Sequence, residues 1–392
     1  MSQSFLHGIE VIEVDDGVRP IQTVRSAVIG VIGTAPAADA DRFPLNTPVL
    51  LAGNPRLAAD LGATGTLPDA IRGIFDQAGP MVVVVRVDAG ADVAAATANV
   101  IGAAVAGTGV HAFLAAQTAT GVTPRILIAP GFTSARESAS NPVVAALLTI
   151  ANRLRAVVVA DGPNTTDAAA LTYAGDWGSP RVYIVDPHVQ VFDTVAAEVV
   201  ARPASSRVAG LIARIDGERG FWWSPSNQLI NGIVGIDRAV EFTLSSPDSA
   251  AQLLNEGKVA TIVRREGWRL WGNRTASSDP LWAFLSVRRT ADMVYESLEN
   301  AMLWAMDRPF SRQLLLDVQE TVQAYITSLV NRGALLGGKV WIDPALNTAA
   351  DLMAGKLTVD FDLEPPAPLE RLTIRAHRED GYYSELIADL AA

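Results

Sequence analysis

Hydrophobic positions come in short unbroken runs through the first half of this chain and in a three-and-four spacing through much of the second. Residues 27–33 (AVIGVIG), 49–52, 81–87 (MVVVVRV), 125–129, 156–160 and 181–185 are runs of four to seven, mostly apolar and bounded by turn formers. Such runs mark strands covered on both faces. Helical patterns lie between them. Asn54 caps a short helix through Leu61, and Thr66 with Pro68 opens another that sets Ile71, Ile74, Phe75 and Ala78 on one face and stops at Gly79. Residues 142–154 and 167–173 give two more. The alternation predicts an α/β fold with a mainly parallel, helix-covered sheet. Gly30 and Gly33 end the first run and predict a tight turn there. Residues 89–121, rich in Ala, Gly and Thr, read as a loose excursion or a small insertion with a helix near 111–117.

After residue 220 the pattern changes, and seven of the eight tryptophans lie there. A strand-like segment carries Trp268, Leu270 and Trp271. Two long helical patterns come next, one with Ala291, Val294, Leu298, Ala301 and Ala305 on its apolar face, the other with Leu315, Val318, Val322, Tyr325 and Leu329, stopping at Gly333. Opposite the second face lie Asp317, Glu320, Thr327 and Asn331, a polar, net acidic strip that is ordinarily a solvated face. Residues 357–363 and 369–377 are strand-like and split by the stiff EPPAP of 364–368.

The ends differ from both halves. Residues 1–20 read as an arm: Ile9, Val11, Ile12 and Val14 alternate with acids over too short a stretch to bury a face, and Gly17 and Pro20 break it from the α/β pattern that begins at Ser26. A lone strand is unstable, so this stretch is disordered or is added to another chain's sheet. Residues 379–392 are a second candidate arm with Tyr383, Leu386, Ile387 and Leu390 as anchors, or a short amphipathic helix on its own domain. The expected division is an arm at 1–20, an α/β domain at 21–240, an α+β domain at 241–378 and an arm at 379–392, with the domain boundary between 235 and 258.

Composition narrows the function classes. There are no cysteines, which removes disulfides, thiolate metal sites and cysteine nucleophiles and suits a reducing cytoplasm. A net charge of −11 argues against a general nucleic-acid binder. The N-terminus has no signal-peptide pattern, and no apolar run approaches the roughly 20 residues that span a bilayer. Only Lys258, Lys339 and Lys356 are lysine; the rest of the cationic side chains are arginine, the residue of bidentate pairs and interfaces, although a GC-rich genome gives the same bias.

No catalytic signature stands out. GALLGGKV at 333–340 fits a phosphate-loop spacing but has Val340 where the magnesium-binding hydroxyl belongs, and it comes after a helix, so helix termination is the better account. His7, His111, His188 and His377 are scattered. Asp360 and Asp362 share a strand face, but Val359, Phe361 and Leu363 on the other explain that as half-solvated alternation. No serine has an evident base partner.

The segment WGNRTASSDP at 271–280, the two helices and the GALLG corner at 333–337 together resemble the C-terminal domain of contractile phage tail sheath proteins. LPDAIRGIFDQAG at 67–79, TPRILIAPGF at 123–132 and SPSNQLINGIVG at 224–235 are also similar to sheath sequence and stand in the family's order. The resemblance implies a structural subunit, not an enzyme, with no metal or cofactor. Many copies would stack as six-fold rings into a helical sheath around an inner tail tube, between baseplate and tail terminator. The sheath would contract to drive the tube through a cell envelope, in a phage tail or a tail-like bacteriocin assembled in the bacterial cytoplasm. By the same resemblance Asp317, Glu320, Thr327 and Asn331 would face the tube, and the two arms would add strands to neighbouring subunits. A soluble α/β enzyme or ligand-binding protein is the alternative, and it needs a polar pocket at the carboxyl ends of the strands. Another structural part, a tube or baseplate subunit, is the third reading.

Overall fold

The computed structural model describes residues 21–136, 139–194 and 196–384. Eight strands form the main sheet: β1 (Ile29–Thr34), β2 (Pro48–Ala52), β3 (Met81–Val87), β4 (Ile126–Ile128), β5 (Val157–Asp161), β6 (Val182–Val185), β10 (Val259–Arg264) and β11 (Trp268–Trp271). Their order is β11-β10-β6-β5-β4-β1-β3-β2, parallel except at the two edges, where β2 and β11 run antiparallel to their neighbours. The mainly parallel α/β fold expected from the apolar runs is therefore present. A three-stranded sheet, β8-β7-β9, comprises β7 (Val189–Asp193), β8 (Glu198–Arg202) and β9 (Gly235–Ile236), and a two-stranded ribbon pairs β12 (Val340–Trp341) with β13 (Asp360–Phe361).

Helices cover both faces of the main sheet, as its doubly buried strands require. In β3, Val82 and Val84 face α1 (Leu67–Phe75) and α6 (Ser205–Glu218). Val83, Val85 and Val87 face the opposite layer, built from α2 (Val93–Ile101), α3 (Ala116–Thr120), α4 (Pro142–Leu154), α5 (Asp167–Gly175) and α7 (Ala250–Glu256). The stretch at 89–121 is not a loose insertion. Val100, Val110, Ala112, Phe113 and Ala116 are fully or nearly fully buried there, so it is a working part of that layer. The helix near 111–117 is a 3-10 segment, Gly109–Ala115, leading into α3.

Two local expectations need correcting. Gly30 and Gly33 do not make a turn, because β1 runs through both to Thr34. Their lack of a side chain permits close packing: a Cβ on Gly30 would lie 2.8 Å from Leu127 and 2.9 Å from Phe113, and one on Gly33 would lie 2.2 Å from Thr66 Oγ1. The domain boundary also moves. β10 pairs with β6, and β11 with β10, so the sheet begun at Ile29 runs on to Trp271 and passes through the expected boundary near 240. The shift to tryptophan-rich composition does not coincide with the end of the sheet, since Trp268 and Trp271 sit on its edge strand.

A separate core forms around α8 (Leu285–Ala301) and α9 (Arg312–Asn331). Leu285 belongs to the sheet's core, whereas Met293, Val294 and Leu298 pack with Val322, Tyr325, Ile326 and Leu329 of α9, so α8 spans both. α8 ends at Ala301, and the expected periodicity to Ala305 is completed by a 3-10 turn, Met302–Ala305. α10 (Ala349–Met353) is a short helix with a Thr348–Asp351 capping box in the loop between β12 and β13.

Ion pairs fix how α8 lies across the sheet. Arg125, Arg155 and Arg181 stand at the starts of β4, β5 and β6. Arg181 holds Asp292 through two bonds of 2.6 and 2.8 Å, Arg125 holds Glu296, and Arg155 reaches Glu296 and Glu299. Arg155 ends α4 in the left-handed conformation (φ 49°), a position that favours glycine; here its side chain is needed for the contact. Arg289 adds a deeply buried bidentate pair with Asp216 of α6.

Truncating Asp216→Ala leaves the buried Arg289 guanidinium without its carboxylate and is expected to cost about 3–5 kcal/mol, read as a lowered urea midpoint of the free subunit. One contribution to the pH dependence comes from Glu299, whose pKa the Arg155 hydrogen bond holds below the ordinary value of 4.5. Its contribution is complete above that value and is lost as pH falls through the lower folded-state pKa. Stability should therefore drop below about pH 4.5, and Glu299→Gln should make that drop shallower in denaturation curves taken between pH 6 and 3.

Candidate assembly surfaces

In an open α/β sheet the natural ligand crevice lies at the carboxyl ends of the strands where the strand order reverses, here between β1 and β4. The chain fills it with its own helix. Thr66 does not cap α1; its Oγ1 accepts the Thr34 N–H at 3.1 Å, its own N–H donates to the Thr34 carbonyl at 2.9 Å, and its methyl would lie 3.2 Å from a Cβ on Gly131. At the end of β5, Asp161 is wholly buried and accepts bonds from Ser205 N (2.7 Å), Ser205 Oγ (2.6 Å) and Thr133 Oγ1 (3.2 Å). It thereby caps α6 from a distance, since Ala204 at the N-cap has no side chain to do so. Burial pushes the Asp161 pKa up, while His188 and these donors pull it down. At the end of β6, Asp186 accepts Asn164 N at 2.7 Å and pairs with Arg238. Both carboxylates are spent on structure. The pocket beside α1 and β7 is lined by Asp69, Asp76, Arg202 and Arg207, which largely neutralise one another as Arg202–Asp69 and Arg207–Asp76 pairs, both at 3.0 Å.

α9 has three distinct faces. Val318, Val322, Tyr325 and Leu329 are buried as their spacing predicted, and Leu315 is only half-buried. Leu314, Thr321 and Ile326 are buried too, flanking the single stripe that the apolar spacing marks. A second face serves β12: the Gln323 side chain accepts Val340 N at 3.0 Å and donates to the Gly338 carbonyl at 3.3 Å. Along the third, Glu320, Thr327 and Asn331 are exposed beside Gln323, Ala324 and Ser328 in a shallow groove. Asp317 continues this stripe but is half-buried and accepts Gln313 Nε2 at 2.6 Å.

The helix ends in a Schellman motif. Gly333 takes φ 76°, its N–H donates to the Val330 carbonyl at 2.9 Å, and the Ala334 N–H reaches the Leu329 carbonyl at 2.9 Å. Gly333 to Val340 is thus a helix stop leading into a strand, with no helix N-terminus to meet a phosphate.

Beyond β13 the chain leaves its own fold. Residues 369–377, expected as a strand, pair with no strand among the described residues. Leu369, Leu372 and Ile374 are 78, 71 and 82% exposed, and residues 381–384 turn into a helix on which Tyr382 and Tyr383 are exposed as well, so the described part of the second candidate arm follows the helical alternative. A bidentate Arg274–Glu370 pair ties the start of this segment to the residues after β11. Ile9, Val11, Ile12, Val14, Leu386, Ile387 and Leu390 lie outside the described residues.

Three family models match successive parts of the chain: the tail sheath protein Gp18 domain III N-terminal region at 26–87, the phage tail sheath protein central domain at 103–276 and the phage tail sheath C-terminal domain at 277–378. A putative prophage major tail sheath protein of Pseudomonas aeruginosa (strain UCBPP-PA14) is 39% identical over 98% of this chain and 99% of its own length. The chain belongs to the phage tail sheath family. The tail sheath protein of Escherichia phage P2 is 36% identical over 98% of each chain. Among solved structures, the helical sheath of the anti-feeding prophage in its contracted state superposes with a TM-score of 0.70 at 20% identity, covering 96% of this chain and 100% of that one. The contracted sheath complex of the extracellular contractile injection system PVC gives 0.70 at 18%, covering 97 and 100%. These two show a shared fold.

The protein is a structural subunit of a contractile tail sheath, not an enzyme, and its place is the sheath of a phage tail or tail-like particle. The family's central and C-terminal domains meet at 276/277, between β11 and α8, where the main sheet ends and the α8–α9 core begins. Among the described residues no helix is long and apolar enough to cross a membrane.

Proposed function

We propose that copies of this sheath subunit join through their terminal arms into stacked rings around an inner tube, between a baseplate and a terminator, and that the lattice shortens to drive the tube. The observation carrying this reading is the exposed segment at 369–377, in which Leu372, Ile374 and Ala376 alternate with polar residues and which finds no strand partner among the described residues of its own chain. Its counterpart is the β12–β13 ribbon, only two residues a side, whose β12 edge is taken by the Gln319 and Gln323 side chains and whose β13 edge has no strand beside it among the described residues. A two-stranded ribbon is marginal alone, and strand addition from neighbours supplies the missing main-chain bonds. The N-terminal stretch with Ile9, Val11, Ile12 and Val14, and the C-terminal one with Tyr383, Leu386, Ile387 and Leu390, are the proposed joints. Such joints hold while globular surfaces exchange one packing for another, which a two-state lattice needs. Subunits of this kind are made and assembled in the bacterial cytoplasm, consistent with a chain that has no cysteine.

The tube is proposed to lie against the third face of α9. That face is free of intrachain packing at Glu320, Thr327 and Asn331, and it is net acidic with Asp317, which suits a basic surface on the partner.

The intact protein should form hollow, cross-striated cylinders in negative-stain electron microscopy, whereas removal of residues 1–19 should leave a folded subunit that forms none; cylinders from the truncated chain would rule out the N-terminal joint. Replacing Asp317→Lys and Glu320→Lys together should leave the subunit folded and abolish co-sedimentation with tube protein. Undiminished co-sedimentation would place the tube elsewhere.

A further inference from the structure

α6 ends in a surface whose charge runs against that of the whole protein. After Gly220 the chain turns so that Phe221 enters the α8–α9 core, Trp222 lies partly buried beside it and Trp223 is 45% exposed. Two guanidiniums stack on these rings: Arg332, at the C-terminus of α9, lies 5.5 Å from Trp222, and Arg219 lies 5.0 Å from Trp223. Both arginines are exposed, and neither has a carboxylate partner among the described residues. The nearest acids in sequence are engaged elsewhere, Glu218 with Arg214 and Asp216 with Arg289. Arg264 on Trp268 and Arg308 on Trp304 stack in the same way with no carboxylate among the described residues, but only the Trp222 and Trp223 pairs adjoin each other in the chain; other guanidiniums are paired with carboxylates along α8, α6 and α1.

The first described residues run alongside the same core. Ile21 and Val24 pack against it with Trp222, and Thr23 Oγ1 lies 3.2 Å from Tyr325 Oη. Tyr325 is seven residues before Arg332 on α9, about 10 Å along the axis. Upstream of this point the chain carries Glu10, Glu13, Asp15 and Asp16, with no lysine or arginine before Arg19. Asp16 is seven residues from Thr23, a reach of up to roughly 25 Å, so the acids can meet both arginines.

We infer that in the free subunit the acidic stretch at residues 10–16 docks on the Arg219–Trp223 and Trp222–Arg332 face of its own chain. The occupant is chosen by charge and by tether: four carboxylates and no cation, held at high effective concentration beside two unpaired guanidiniums on aromatic rings. The interleaved Ile9, Val11, Ile12 and Val14 are offered to the exposed edge of Trp223. Individually the ion contacts are weak and screened by salt, so the docking is readily exchanged. The inference rests on the joint proposed above in one respect: an arm parked on its own subunit is withheld from a neighbour until assembly releases it.

Arginine-directed labelling with phenylglyoxal, quantified by peptide mass spectrometry, tests this on the full chain. The exposed Arg371 serves as the internal standard. In the variant Glu10→Gln, Glu13→Gln, Asp15→Asn, Asp16→Asn, labelling of Arg219 and Arg332 relative to Arg371 should rise about fivefold, equally at high and low protein concentration. Raising sodium chloride from about 0.05 to 1 M should do the same to the unmodified chain, which keeps the test valid if the variant folds poorly. Unchanged labelling under both treatments overturns the inference. Protection that disappears on dilution overturns it too, by assigning the face to a second copy. Cylinder formation by the variant bears only on strand addition, whereas labelling of the free subunit bears only on docking, so the two ideas fail separately.

Discussion

One helix lying across the starts of three parallel strands determines where the second half of this protein can go. Asp292, Glu296 and Glu299 stand four and three residues apart on one face of α8. They meet Arg181, Arg125 and Arg155 at the heads of β6, β4 and β5, with Glu296 shared between Arg125 and Arg155. Buried pairs of this sort add little net stability over apolar packing, but a mismatched register would strand a charge, so they select one orientation strongly. With one face of α8 committed to the sheet, Met293, Val294 and Leu298 beside it are left to form the core with α9.

That arrangement separates two kinds of surface. The sheet's carboxyl ends, where related architectures take ligands, are closed by Thr66 and by the α6 cap on Asp161. The open surfaces lie on the α8–α9 side: the acidic stripe of α9, the short β12–β13 ribbon, the unpaired tail after Leu369 and the arginine–tryptophan face. A subunit whose interior is spent on its own charges and whose exterior offers edges and stripes is suited to being a lattice element.

Much of this was legible in the sequence because burial on both sides leaves an unmistakable mark: β3 matches its apolar run from Met81 to Val87, and α4 matches Pro142–Leu154. The glycine stop at Gly333 was equally plain, since only a left-handed residue closes that motif cheaply. The inferences that failed were those that need tertiary partners. Gly30 and Gly33 look like turn glycines until Phe113 and Thr66 are seen pressing on them. β10 looked like part of a second domain because nothing local says that it will pair with β6 across more than seventy residues. The segment at 369–377 has strand periodicity with no strand beside it among the described residues, because periodicity reports a preference and the partner must come from elsewhere. The α9 stripe was correctly placed as an exposed face apart from Asp317, whose half-burial depends on Gln313 one turn away.

The ion pairs holding α8 and α6 in place are all guanidinium–carboxylate pairs. A guanidinium keeps its proton beyond the reach of ordinary alkaline buffers, whereas an ammonium begins to surrender it near pH 10. The internal frame of this subunit therefore has a single electrostatic limit, on the acid side. The three lysines take no part in it: Lys258 only reaches a backbone carbonyl, that of Ser277. Amine-directed reagents can accordingly acylate, tag or tether this protein without neutralising a charge on which its folded frame depends.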